Sequence, residues 1–239
     1  MRRLLFPFNA KRAFAATIAA MLCWIANPAH PQMTSAQTGA ANTAAGLTAD
    51  ILASRIDRHY NALHSLEVHF VQSYSGMGMN RHEAGVLLLK KPGKMRWTYT
   101  QPDGKLFILD GHDGYFYSPG DTEVQRVPVK QLDDMRSPLR LLLGHTQLAK
   151  ELNGIAIAPA ADGAYTLTGI PRGMEKRVAS FSVTAAADGT IRSLRVEETD
   201  GITNTFTFSG EAANVPAADG SFVFNPPAGV HVINGMPPV

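Results

Sequence analysis

Between residues 65 and 110, apolar and polar residues alternate along most of the chain with a period of two. This spacing puts alternate side chains on one face of a strand, and Lys91-Pro92-Gly93 has the composition of a turn between two such strands. We therefore predict antiparallel strands that share one wide apolar face. The apolar positions on it are Val68, Phe70, Leu87, Leu89, Met95, Trp97, Tyr99 and Phe107.

A different spacing precedes these strands. Apolar residues fall three or four positions apart after Thr48, which predicts a helix with Thr48 as its N-cap and one apolar stripe. The stripe consists of Ile51, Leu52, Ile56, Tyr60 and Leu63. From Ser65 the period changes to two, and Gly76-Met-Gly-Met79 indicates a flexible loop or a hairpin after the first strand.

A second short helix is predicted in the middle of the chain. Ser137 suits an N-cap, Pro138 the first helical position, and Gly144 the position just past the end. A helix of barely two turns is unstable alone. We therefore expect it to be held by packing of its leucines, which are Leu139, Leu142 and Leu143.

Short strands flank this helix. Asp110-Gly-His-Asp-Gly114 predicts a tight turn before Tyr115-Phe-Tyr117, and a strand follows around Val124. After the helix, five strands are predicted, at 155–158, 165–170, 177–184, 191–198 and 202–208. Asp-Gly pairs separate them, and two such hairpins in a row predict a meander.

The N-terminus has the order of a secretory signal. Arg2, Arg3, Lys11 and Arg12 precede an apolar run that is too short to span a membrane. We predict a signal peptide over residues 1–36, with cleavage after Ala29 as the alternative, a disordered leader over 37–47, and one domain over 48–239. The single cysteine, Cys23, lies in the signal, so the mature chain would have neither disulfides nor a thiol nucleophile.

Charge and side-chain chemistry narrow the function. The whole chain has a net charge of +2, but the predicted signal holds four Lys or Arg and no acidic residue, which leaves 18 Lys and Arg against 20 Asp and Glu. A mature charge of −2 argues against nucleic acid or an anionic membrane surface as a partner. The histidines lack metal-ligand spacing, and no nucleophile elbow or phosphate loop is present, so we expect no metal, no cofactor and no enzymatic activity.

A series of motifs resembles the LolA family, the periplasmic carriers of outer-membrane lipoproteins. They run in order from about residue 48 to 232, and no single one is specific. The matching motifs are Phe70-x-Gln72, Lys91-Pro-Gly-Lys-Met-Arg-Trp97, Gln101-Pro102, Asp110-Gly111, Ser137-Pro-Leu-x-Leu-Leu-Leu-Gly144, Asp188-Gly-Thr190 and Phe222-x-Phe224-x-Pro226-Pro-x-Gly229-Val230.

The resemblance implies a mainly β fold: an incomplete, open antiparallel β-barrel whose apolar concave face is covered by a helical lid. It also implies a monomeric periplasmic protein that accepts lipoproteins from an inner-membrane ABC transporter and passes them to an outer-membrane receptor. The family usually has Arg before the turn proline, where it is thought to hold the lid shut. Here that residue is Lys91, and an ammonium lacks the planar fork of a guanidinium, so a weaker or differently placed latch is expected.

Two assignments stay open on the residues alone. The eight apolar positions could form an ordinary barrel core or line an acyl-chain cavity. The segment from Leu132 to Leu143 could be a docked structural helix or a moving lid, in which Leu132, Met135, Leu139, Leu142 and Leu143 would face the cavity. A lipid-binding or lipid-sensing domain that transfers nothing is the alternative function, and a hydrolase with an unrecognised site is a second rival.

Overall fold

The computed structural model describes residues 46–130, 140–143 and 146–235; the side chains of Arg140 and Leu143 are not described. The predicted signal and most of the predicted leader lie outside these ranges, as does Cys23. Leu47, at the end of the predicted leader, packs against the hydrophobic core.

Twelve strands in the described residues form one sheet, which confirms the predicted mainly β class. The strands are β1 (Ser65–Gly76), β2 (Met79–Lys90), β3 (Lys94–Gln101), β4 (Asp103–Asp110), β5 (Asp113–Tyr117), β6 (Glu123–Pro128), β7 (Leu152–Pro159), β8 (Tyr165–Pro171), β9 (Val178–Ala185), β10 (Ile191–Glu198), β11 (Thr203–Ala213) and β12 (His231–Asn234).

The order across the sheet is β12-β6-β5-β4-β3-β2-β1-β11-β10-β9-β8-β7. All neighbours are antiparallel except β12 and β6, which run parallel. The edge strands β12 and β7 do not pair with each other in this ordering, so the sheet stays open, as predicted.

Hairpins connect most neighbouring strands at the predicted turns. Met77 and Gly78, between β1 and β2, have φ values of 51° and 74°, the two positive angles that a type I′ turn requires. In the turn after β4, one carboxylate oxygen of Asp110 accepts hydrogen bonds from the backbone N–H groups of His112 and Asp113, at 2.7 and 2.8 Å. The predicted meander is present as β8 to β11.

The first helix, α1 (Ala49–Ala62), begins where it was predicted. The Thr48 hydroxyl accepts a hydrogen bond from the backbone N–H of Ile51, at 3.3 Å. The predicted stripe is wrong at one position, because Ile51 is 39% exposed. At 100° per residue, Leu52, Ala53, Ile56 and Tyr60 lie within one arc of about 100°, and Ile51 lies outside it.

Two short helices follow β6. They are α2 (Arg140–Leu143) and α3 (Leu148–Glu151), and both contact α1. The predicted start of the central helix at Ser137 and Pro138 lies outside the described residues. Leu141, Leu142 and Leu148 belong to the same buried cluster as α1 and one face of the sheet. We call this helix-covered face the inner face.

The chain crosses the opposite face between β11 and β12. Asp219 lies 2.9 and 2.8 Å from the ammonium groups of Lys90 and Lys94, and Arg96 donates a hydrogen bond to the Ser221 carbonyl. Phe222 is buried there, and Phe224 stacks on Tyr115 at 5.3 Å. We call this face the outer face and residues 214–230 the strap.

Candidate functional site

The inner face is a continuous apolar surface, and all eight predicted residues lie on it. Strand register places Leu87 opposite both Val68 and Trp97, and Trp97 opposite Phe107. In the next row, Met95 stands opposite Leu89. The period of two in the sequence therefore brings four strands to one surface.

Aromatic rings make the centre of this surface. The Phe70 ring meets the rings of Trp97 and Tyr99 edge to face, with centroids 4.6 and 5.2 Å apart. Trp97 also meets Phe206 of β11, at 5.7 Å. Gly85 makes room for this cluster, since a Cβ there would lie 3.0 Å from the Phe70 ring and 2.2 Å from the Thr98 carbonyl oxygen.

Burial distinguishes the eight residues. Seven have at most 8% of their surface exposed, whereas Phe107 is half-buried and stacks on Phe116 of β5, with centroids 4.5 Å apart. Phe107 is therefore the member that an incoming molecule could contact with the least rearrangement.

Sequence reasoning missed the part of the surface contributed by the second half of the chain. Alternating apolar residues on β8 to β11 extend the inner face beyond β1. These residues are Leu167, Phe181, Val183, Leu194, Phe206 and Phe208. Their period of two is visible in the sequence, but only the pairing of β1 with β11 joins them to the surface of β1 to β4.

The inner face is covered by leucines and by α1. Leu142, one of the predicted lid residues, is 2% exposed, and its neighbour Leu141, which was not predicted, is 3% exposed. Leu143 lies in α2, while Leu132, Met135 and Leu139 lie outside the described residues. From α1, the residues Leu52, Ile56 and Tyr60 complete the cover.

Polar contacts hold the C-terminal part of α1. The ammonium of Lys91 donates a hydrogen bond to the backbone carbonyl of Tyr60, and burial lowers the pKa of Lys91. The Tyr60 hydroxyl donates to one carboxylate oxygen of Glu211 at 2.7 Å, and His59 Nε2 lies 2.6 Å from the other. Burial, followed by the Glu211 charge, raises the pKa of Tyr60, so this hydroxyl stays protonated and donating.

A second set of contacts ties α3 to α1. The Asp57 carboxylate accepts hydrogen bonds from the backbone N–H of Leu148, at 3.0 Å, and from the Thr146 hydroxyl, also at 3.0 Å. The Asn61 amide exchanges two hydrogen bonds with the backbone of Thr146. Burial is the main cause that raises the pKa of Asp57. The chain that leaves the predicted lid is thus fixed to α1 by side chains.

One buried donor on the inner face has no acceptor among the described residues, the indole N–H of Trp97. A buried donor without an acceptor costs about 1–3 kcal/mol.

No group of three His, Cys, Asp or Glu in the described ranges is placed to hold a metal ion. Within the same ranges, no helix has the length and apolar character needed to cross a membrane.

A family model and individual related sequences point to the same protein family. The family model described as "Outer membrane lipoprotein carrier protein LolA" matches residues 61–225. An outer-membrane lipoprotein carrier protein of Photobacterium profundum is 31% identical over 148 residues, which cover 62% of this chain and 70% of that protein. One from Nitrosospira multiformis is 29% identical and covers 63% and 72%.

Among solved structures, a LolA superfamily protein from Nitrosomonas europaea aligns with a TM-score of 0.40 at 11% identity. The alignment covers 74% of this chain and 98% of that one.

Proposed function

Since this chain belongs to the family of the outer membrane lipoprotein carrier protein LolA, we propose that it binds the acyl chains of lipoproteins and carries them through the periplasm. The observation that carries the proposal is the apolar inner face, which spans β1 to β4 and β8 to β11 under short helices. The role is binding and transfer, without catalysis.

The acyl chains would replace part of the helical cover. Fully burying a leucine is worth about 1.5–3 kcal/mol, and each buried methylene of an acyl chain contributes roughly 0.8 kcal/mol relative to water. A few methylenes per displaced leucine, such as Leu141 and Leu142, therefore balance the loss of cover. The loaded protein and the empty, covered protein would then differ little in free energy. This balance suits a protein that must also release its cargo.

Transfer needs a driving force, because an acyl chain that moves between the carrier and a membrane leaves one apolar environment for another. We propose that an inner-membrane ABC transporter drives loading and that an outer-membrane receptor accepts the lipoprotein. In this scheme the carrier binds with intermediate strength. Phe107, half-buried beside the covered surface, would be among the first residues that the acyl chains reach.

A release and delivery assay tests the proposal. Inner-membrane vesicles that hold the transporter and a labelled lipoprotein are energised with ATP in the presence of the purified chain, and outer membranes are then added. We expect wild type to take up the label and pass it on. Phe107→Glu should lose uptake, because a carboxylate against hydrocarbon is costly. Val71→Glu, which adds the same charge on the exposed outer side of β1, should keep it.

Three outcomes would contradict the proposal. Uptake without delivery would identify the lipid-binding or lipid-sensing alternative. Absence of uptake by folded wild type, or equal uptake by Phe107→Glu and wild type, would remove the acyl-binding role of the inner face.

A further inference from the structure

The inner face changes from apolar to polar along its strands. In β1 the alternation Leu66, Val68, Phe70 continues as Gln72 and Tyr74, and in β2 the residues opposite these two are Glu83 and Arg81. The polar positions that follow the aromatic cluster are Gln72, Tyr74, Arg81, Glu83, Lys105 and Asn204, which we call the polar strip.

A partly buried ion pair is the main charged feature of the strip. The Lys105 ammonium lies 2.6 and 2.7 Å from the two carboxylate oxygens of Glu83, whose side chain is only 14% exposed. The same ammonium lies 4.4 Å from the centroid of the Tyr99 ring, one of the buried residues of the apolar surface. The Glu83 carboxylate also contributes, after burial, to raising the pKa of Tyr99. The pair therefore sits where the apolar surface ends.

Neutral hydrogen-bonding groups lie beside this pair. The Gln72 amide donates to the Asn204 amide oxygen, at 3.1 Å. Each amide carries two N–H groups, and this bond uses one of the four. Ester and amide carbonyls are acceptors that such donors can satisfy, whereas a phosphate beside them would need an uncompensated cation. Arg81, the other cation of the strip, is exposed and lies one row further from the aromatic cluster, with its guanidinium 4.7 Å from the centroid of the Tyr74 ring.

We infer that the part of the polar strip around Gln72, Glu83 and Lys105 binds the uncharged ester and amide linkage of a diacyl ligand. Glu83 excludes an anionic group from this part by neutralising Lys105. The inference rests on the proposed function and adds the chemical class of the head group. A phosphate within hydrogen-bonding distance of Lys105 would lie close to the Glu83 carboxylate, and like charges at a partly buried position repel. A lipoprotein has ester and amide carbonyls near its acyl chains, whereas the phospholipids of the surrounding membranes carry a phosphate.

Displacement of an apolar fluorescent probe by two lipids tests the inference. Dioctanoylglycerol is uncharged at its head, and dioctanoyl-phosphatidylglycerol has the same chains with an anionic phosphate. We expect wild type to bind the first in preference to the second. Glu83→Gln keeps an acceptor for Lys105 but removes the negative charge, and should shift the preference toward the anionic lipid by about tenfold.

Matched variants isolate the charge. Glu67→Gln makes the same change at an exposed position on the outer side of β1 and should leave the preference unaltered. Combining Glu83→Gln with Lys105→Gln removes both charges and should cancel most of the gain in anionic binding. Lys105→Gln alone leaves Glu83 uncompensated and should weaken anionic binding below that of wild type, which provides a test if Glu83→Gln does not fold.

The outcomes separate the two claims. The role of the strip is overturned if folded Glu83→Gln keeps the wild-type preference between the two lipids. It is also overturned if Lys105→Gln binds the anionic lipid as well as wild type does. In both cases acyl binding stands. If folded wild type binds neither lipid, the proposed function itself fails.

Discussion

The Lys91 side chain donates a hydrogen bond to the backbone carbonyl of Tyr60, in the last turn of α1. The backbone N–H of Lys91 also donates to the His64 carbonyl, at 2.8 Å. The turn between β2 and β3 thus holds the C-terminal end of α1, where a cation is favourable because carbonyl groups lack helical partners. The predicted role of Lys91 as latch of the segment 132–143 stays a prediction.

Removal of this contact should loosen the end of α1. We expect Lys91→Met to lower the free energy of unfolding by about 1 kcal/mol, the net value of one hydrogen bond. Amide hydrogen exchange at residues 60–63 should become faster. Lys90→Met is the control, because Lys90 reaches Asp219 on the outer face. Equal exchange in the two variants would show that Lys91 does not hold α1.

The turn between β9 and β10 approaches the backbone of α1 so closely that only glycine fits. A Cβ at Gly189 would lie 2.6 Å from the Arg55 carbonyl carbon and oxygen, and its φ of +104° disfavours any side chain. Gly201 has the same Asp-Gly context and a φ of +86° but open space around it. Gly189→Ala should therefore destabilise more than Gly201→Ala, measured by urea unfolding, and should speed binding of an apolar probe by displacing α1. Equal stability losses would exclude the close approach.

The contact of Asp57 with α3 predicts a pH dependence. Burial raises the pKa of Asp57 above its ordinary value of 3.8, so the unfolded chain releases this proton first as the pH rises. Ionisation of Asp57 therefore lowers the free energy of unfolding as the pH rises through the range just above 3.8. Asp57→Asn lacks this titration, and wild type should gain stability relative to it as the pH falls toward 3.8.

Stability measured at several pH values for both proteins tests this dependence. Asp57→Ala, which removes the acceptor for the Leu148 N–H, should cost about 1 kcal/mol at neutral pH. A difference between wild type and Asp57→Asn that does not vary with pH would contradict the raised pKa.

The two faces of the sheet should separate stability from binding. Phe222, a residue of the strap, is 1% exposed where the strap crosses the outer face. We expect Phe222→Ala to lower the free energy of unfolding by about 3 kcal/mol, as is usual for a buried aromatic residue. Its affinity for an apolar probe should be unchanged. Phe107→Ala should show the reverse, a smaller loss of stability and weaker probe binding. If Phe222→Ala weakened probe binding and Phe107→Ala did not, the binding surface would lie on the outer face, which contradicts the account.

Local signals predicted the fold well where neighbours in sequence are neighbours in space. Thr48 fixes the start of α1, and Asp200-Gly201 fixes the hairpin between β10 and β11, because capping and turn geometry depend on a few consecutive residues. Alternation likewise placed Trp97 and Leu87 on one face. Eight residues of the inner face on β1 to β4 were therefore identified from the sequence, although Leu66 and Leu109 on the same face were not.

Long-range pairings were not predictable in the same way. Nothing local in His231–Asn234 specifies a parallel partner in β6, because the strap that brings it there is irregular and is fixed by contacts such as Asp219 with Lys94. The anchoring of α3 by Asp57 joins residues about 90 positions apart. Such contacts depend on the assembled sheet and helices, and a single sequence carries no periodic signal for them.

Native mass spectrometry of the chain recovered from the periplasm tests most directly whether the inner face holds acyl chains. We predict that wild type and Val71→Glu carry an acylated peptide or lipoprotein, released on denaturation, and that folded Phe107→Glu carries none. Recovery of folded wild type without any acylated species, or of the same cargo on Phe107→Glu and wild type, would contradict the account.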